Sequence, residues 1–251
     1  MKHPRNYETL KSRMSGGTLL RGLLVRIPSP MLIDMAGNNG FDFIFLDTEH
    51  GIADQKDIAE HITAAHAAGL PTIVRIAEGE GALALRVLDA GAEGIVVPHV
   101  RDAQAAKRAV QMSHYPPLGH RGFATYTAAG SWGKTSPSEH AANALRTTIV
   151  IAMIEDEEGV RNAQEIADTA RIDAIFLGPA DLGSALGFDA AKVEDARRHV
   201  WNAAAKSGTP VMAIVSTRSE ADRAREQGAK LVVLNAQSAI DQCLAVWVED
   251  P

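Results

Sequence analysis

Two apolar runs in this chain each end on an acid. Residues 147–155 read Thr-Thr-Ile-Val-Ile-Ala-Met-Ile-Glu, and residues 174–181 read Ala-Ile-Phe-Leu-Gly-Pro-Ala-Asp. Such runs behave as fully buried strands, so Glu155 and Asp181 are expected at or just past C-terminal strand ends. Burying a carboxylate there costs several kcal/mol unless a cation offsets it, and the pair therefore suggests a metal site. Both are oxygen donors with no cysteine cluster or His-x-His nearby. That favours a hard divalent ion, Mg²⁺, Mn²⁺ or Co²⁺, over zinc, with water or substrate oxygens completing the shell. The plainer reading is an ion pair between Glu155 and a basic residue at the same end of the fold. Asp156, Glu157 and Glu158 suit a solvated helix start, where negative charge meets the helix dipole.

Other reactive types fall at similar positions. His50 directly follows the run Phe43-Ile44-Phe45-Leu46-Asp47 and has Asp47 and Glu49 close in sequence. A carboxylate on one ring nitrogen would fix the tautomer and raise the basicity of the other; a surface histidine in a loop is the alternative. Arg75 ends an apolar run and needs a partner, Glu49 or Asp47, or a substrate carboxylate or enolate oxygen. His99 follows another run and can reach the same place or simply pack. His61 and His66 are expected to face solvent from a helix. No lysine falls at a strand C-terminal end, which argues against Schiff-base chemistry. Cys243 has no base beside it and is a poor nucleophile.

These residues converge only if the fold brings the strand ends together. Gly40, Gly69, Gly91, Gly208 and Gly228 each lie between a helix-like segment and an apolar run. Glycine just past a helix fits a left-handed turn, and five uses of one turn argue for repeated β/α units. Residues 18–27 and the two acid-bearing runs bring the strands to eight. Asp54 can cap one of the intervening helices, with Ile58, Ile62 and Ala65 on one face. Eight parallel strands in 251 residues predict an α/β fold, a (β/α)8 TIM barrel spanning 1–251 as one domain. A doubly wound sheet is the runner-up, but no Gly-x-Gly-x-x-Gly follows the first strand. Residues 115–140, rich in Gly, Pro, Ser and Thr, interrupt the rhythm and suggest a functional loop. Segment 119–138 is expected at the open side of the mouth.

The net charge of −6 gives no electrostatic footprint for nucleic acid or an anionic membrane. One cysteine excludes an intrachain disulfide, and the chain shows neither a signal peptide nor a spanning run, so a cytoplasmic location is expected.

Leu46-Asp47-Thr48-Glu49-His50-Gly51, Val74-Arg75, Tyr115-Pro116-Pro117-Leu118-Gly119-His120-Arg121-Gly122, Ile154-Glu155 and Gly178-Pro179-Ala180-Asp181-Leu182 together resemble the HpcH/HpaI aldolases. The likeness runs in order over residues 21–233. It implies a metal-dependent, class II pyruvate aldolase that reversibly cleaves 4-hydroxy-2-oxo acids to pyruvate and an aldehyde through a metal-stabilised enolate. Glu155 and Asp181 would be the metal ligands, and Arg75 would hold the keto oxygen. His50 would move protons, supported by Asp47 and Asp89. Ala180 and Asp181 would receive the pyruvate carboxylate at backbone N–H groups, with Gly178 also among the substrate-binding residues, and Glu49 would bond metal-bound water. The resemblance also implies a homo-oligomer, a hexamer built as a trimer of dimers with the C-terminal helical segment exchanged. Met153 departs from the family, where glutamine is common two residues before the metal glutamate. That leaves room for a CoA-ester lyase of the citrate lyase β type, or for a catalytically silent barrel that only binds a small molecule.

Overall fold

The computed structural model describes residues 8–248. Eight parallel strands close into a barrel in strict sequence order. They are β1 (Leu20–Val25), β2 (Phe43–Asp47), β3 (Thr72–Arg75), β4 (Gly94–Val97), β5 (Ile149–Ile154), β6 (Ala174–Leu177), β7 (Val211–Val215) and β8 (Leu231–Asn235). β1 is shorter than the run at 18–27 suggests, and Arg26 and Ile27 lie beyond its end. Around the barrel run α1 (Leu10–Ser15), α2 (Pro30–Asn38), α3 (Gln55–Ala67), α4 (Gly81–Asp89), α5 (Ala103–Ser113) and α6 (Pro137–Thr147). They are followed by α7 (Glu157–Arg161), α8 (Ala163–Ala167), α9 (Pro179–Ala185), α10 (Ala190–Ser207), α11 (Arg218–Glu226) and α12 (Ala236–Ala245).

Strand alternation divides the apolar residues into two sets. Leu20, Leu24, Phe43, Phe45, Ile73, Val96, Ile149, Ile151, Met153, Phe176, Met212, Leu231 and Val233 fill the barrel interior. Leu10 and Met14 of α1 join the same cluster and close the end where the strands begin. The intervening residues pack outward under the helices, as Leu23, Ile44, Val74 and Ile95 do against Ile58 and Ile62 of α3 and neighbouring side chains. Asp54 forms a full capping box with Asp57 at the start of α3, and Ile58, Ile62 and Ala65 are buried, as the spacing requires. The five recurrent glycines adopt φ between 69° and 105° at the helix ends.

Chain direction then assigns the loops. Each α-to-β connection lies at the closed end and each β-to-α connection at the mouth. Segment 119–138 joins α5 to β5 through α6, and its backbone bonds back onto Gln111 and His114 at the end of α5. It therefore lies at the closed end of its own barrel. The expected mouth position came from the loop's length, whereas element order decides it. No helix among the described residues is long and apolar enough to cross a membrane.

Candidate active site

The period-2 phase that fills the barrel continues past the strand ends. It carries Arg26, Asp47, Glu49, Arg75, Met153, Glu155 and Gly178 inward at the mouth. On the β1–β3 side, Asp47 is buried and fully answered. Arg75 Nε donates to its Oδ1 at 2.8 Å and Arg75 Nη2 donates to its Oδ2. Arg26 Nε donates to the same Oδ2 at 2.6 Å. The backbone N–H groups of Glu49 and His50 reach Oδ1 at 3.2 and 3.3 Å. Burial alone would raise the pKa of Asp47, but the two guanidiniums outweigh it and hold the carboxyl at about 2. Arg75 is thus fixed in plane, with Glu49 Oε2 at 3.5 Å from Nε and Met153 Sδ at 3.8 Å from Nη1. A thioether is a weak acceptor, so Nη1 keeps most of its donor capacity for an oxygen in the mouth.

On the β5–β6 side the balance differs. Glu155 follows β5, is 2% exposed, and places Oε1 against the His99 backbone N–H (2.8 Å) and His99 Nδ1 (3.2 Å). Its other oxygen, Oε2, is buried without a hydrogen-bond partner. Burial, with the charges of Asp181 and Glu49, pushes this carboxyl up to about 7 against the opposing pull of His99. Gly178 makes the arrangement possible, because a Cβ there would lie 2.5 Å from both Glu155 Oε2 and Met153 Cε. Asp181 sits half-buried in the first turn of α9, and no side chain caps that turn. The N–H groups of Ala180 and Asp181 are among its uncapped first-turn donors. A buried, unpartnered carboxylate oxygen with a second acid beside it suits a divalent cation. Among the described residues no three His, Cys, Asp or Glu side chains gather as a metal cage.

The remaining expected site residues divide. His50 is exposed at the mouth, and Asp47 meets it through its backbone N–H rather than its ring. Asp89 ends α4 at the closed end of the barrel, where its carboxylate accepts from Arg121 Nη2 at 2.7 Å. It is not brought to His50 within one chain. His61 does not face solvent: it is 2% exposed, Nδ1 lies against the Asp57 carbonyl, and Nε2 accepts from the Ser29 N–H at 2.8 Å. Its ring ties α3 to the loop before α2, a structural task. Arg26 was not singled out from the sequence, although it follows Leu20, Gly22 and Leu24 in the inward phase of β1.

The sequence and the fold are similar to those of known proteins. Residues 21–240 match the HpcH/HpaI aldolase/citrate lyase family model. The chain is 33% identical over 237 residues to hydroxypyruvate/pyruvate aldolase of Paraburkholderia phytofirmans, covering 90% of each. It is 28% identical over 234 residues to 5-keto-4-deoxy-D-glucarate aldolase of Escherichia coli, covering 92% of this chain and 91% of that one. Among solved structures, an HpcH/HpaI aldolase/citrate lyase family protein from Burkholderia cenocepacia superposes with a TM-score of 0.89 at 30% identity, covering 96% of this chain and 98% of the other. From barrel, mouth and match alike, the chain belongs to the HpcH/HpaI aldolase/citrate lyase family, whose barrels carry aldolase and lyase chemistry.

Proposed function

We propose that this chain is a divalent-metal-dependent aldolase that reversibly cleaves a 4-hydroxy-2-oxo acid to pyruvate and an aldehyde. One observation carries the reading: an oriented, charged Arg75 faces a mouth that also holds the buried, unpartnered oxygen of Glu155. Removing a proton next to a ketone is difficult near neutral pH unless the developing oxyanion is stabilised. A cation held by Glu155 and Asp181 would supply the Lewis acidity for that step. Arg75 Nη1, opposed only by a thioether, would donate to the keto oxygen, and the Asp47 clamp keeps that donor in place. The uncapped N–H groups at Ala180 and Asp181, beside Gly178, would receive the pyruvate carboxylate. His50, exposed at the mouth, would move protons to and from the aldehyde oxygen.

The proposed assembly is a homo-oligomer, a hexamer of three dimers. Ile240, Leu244, Val246, Trp247 and Val248 leave an apolar stripe exposed on and after α12, which suits exchange of that helix with a neighbour. Asp89 can support His50 only across such an assembly, since one chain holds them at opposite ends. The test is pyruvate release from 4-hydroxy-2-oxo acids with and without chelator. Pyruvate methyl-proton exchange in deuterated water isolates enolisation, and Arg75→Ala is expected to slow it about 10²- to 10³-fold. Release that survives complete metal removal, or exchange retained in the variant, overturns the reading.

A further inference from the structure

We infer that His99 is the positioning residue that aims Glu155, fixing one carboxylate oxygen so that the other is presented to a cation. The inference rests on the metal reading above and concerns a residue to which that reading gives no part. It begins with backbone geometry. His99 lies two residues past β4 and has φ of 51°, in the left-handed region that residues other than glycine seldom occupy. β4 pairs with β5 as far as Val97 opposite Ala152. The left-handed turn then sends two further N–H groups across to the same neighbour. Val100 donates to the Met153 carbonyl at 3.0 Å, and His99 donates to Glu155 Oε1 at 2.8 Å.

The side chain adds a second grip. His99 Nδ1 stands 3.2 Å from the same oxygen and pairs with it when that nitrogen carries the proton, so one carboxylate oxygen is met by backbone and ring of a single residue. A Glu side chain has three rotatable bonds, and two contacts on Oε1 remove most of that freedom. The oxygen left over is the buried Oε2, which no donor among the described residues meets. Gly178 leaves open the space that Oε2 fills, because a Cβ there would lie 2.5 Å from it. Held at Oε1 and given room at Oε2, the carboxylate presents one oxygen in one place. Groups that hold a metal ligand from behind commonly govern affinity as strongly as an added contact would.

Residue type can be separated from backbone. Glycine adopts the left-handed turn without strain, keeps the N–H and removes the ring, so His99→Gly tests the ring in a folded protein. Asparagine also tolerates that turn and carries a short amide donor that can reach Oε1, so His99→Asn should restore the grip. The readout is the Mn²⁺ dissociation constant of the full chain, measured from the paramagnetic resonance of free Mn²⁺, with the melting temperature of metal-free protein recorded beside it. We expect His99→Gly to bind Mn²⁺ about 10- to 100-fold more weakly and His99→Asn to recover most of that loss. Equal Mn²⁺ affinity in wild type and His99→Gly overturns the assignment while leaving the metal reading intact. A wild type that binds no Mn²⁺ removes the metal reading itself, and the assignment falls with it.

Discussion

The two sides of the mouth differ in how their buried carboxylates are answered. On the β1–β3 side, Asp47 has two guanidiniums and two backbone N–H groups, and its pKa is held at about 2. On the β5–β6 side, Glu155 shares its surroundings with Asp181 and Glu49, keeps one oxygen unpartnered, and is pushed up to about 7. Both are equally hidden from solvent, at 2% exposure. The contrast is therefore one of partners, not of depth. A satisfied network is a finished part that holds Arg75 in a single pose. An unsatisfied acid at the same depth is a site awaiting a positive charge.

The largest effect should come from breaking the finished side. Asp47→Asn leaves Arg75, whose side chain is 4% exposed, with only the longer contact to Glu49 Oε2 at 3.5 Å as a charged partner. Losing one member of a buried pair costs about 3–5 kcal/mol. Urea unfolding should show that loss, and a change below about 1 kcal/mol would mean that water or Glu49 replaces Asp47 without penalty.

The unsatisfied side should respond in the opposite direction. The carboxyl of Glu155 titrates near 4.5 when unfolded and near 7 in the folded chain. Below pH 4.5 both states are protonated and the site is neutral to stability. As pH rises from 4.5 through 7 the unfolded chain releases its proton first, so folding loses stability, and the whole penalty stands above pH 7. Glu155→Gln removes the charge and keeps an acceptor for the His99 N–H. Metal-free Glu155→Gln should thus be more stable than wild type at pH 8, by about 2 kcal/mol after allowance for screening, with the gap closing towards pH 4.5. Added Mn²⁺ should stabilise wild type only. A variant less stable than wild type at pH 8 without metal would show that Glu155 has a partner the geometry does not reveal.

Much of this contrast is legible in the chain, and the remainder fails for identifiable reasons. Alternation along β5 fixes Met153 and Glu155 on one side, and an inward arginine at the end of β3 demands an acid, which Asp47 provides. His61 could have been placed from the same rule: it lies three residues after Ile58 and one before Ile62, on the buried face of α3. A polar type masked that position, because its acceptor role for Ser29 depends on a loop far away in sequence. Asp89 entered only through the family resemblance and segment 119–138 through its length, and element order puts both at the closed end of their own barrel. His99 is the least legible. Its left-handed φ has no glycine or asparagine to announce it, and its partner lies 56 residues on.

The smallest expected effect concerns whether the finished side acts as one unit. Arg26 contributes a hydrogen bond from Nε to Asp47 Oδ2, from a side chain 26% exposed, so its loss alone should cost about 1 kcal/mol or less. Arg75 shares that same oxygen, and Asp47 carries only one charge for two guanidiniums. Removing Arg26 should tighten the remaining pair and leave the β1–β3 side with one positive charge fewer against Glu49. The measurement is a double-mutant cycle in urea between Arg26→Gln and Asp47→Asn. If Asp47 links the two arginines, the cycle should return an interaction of about 0.5–1 kcal/mol that shrinks only slightly in high salt, because Asp47 is shielded from solvent. An interaction near zero would reduce Arg26 to a rim residue. The satisfied side of the mouth would then consist of Asp47 and Arg75 alone.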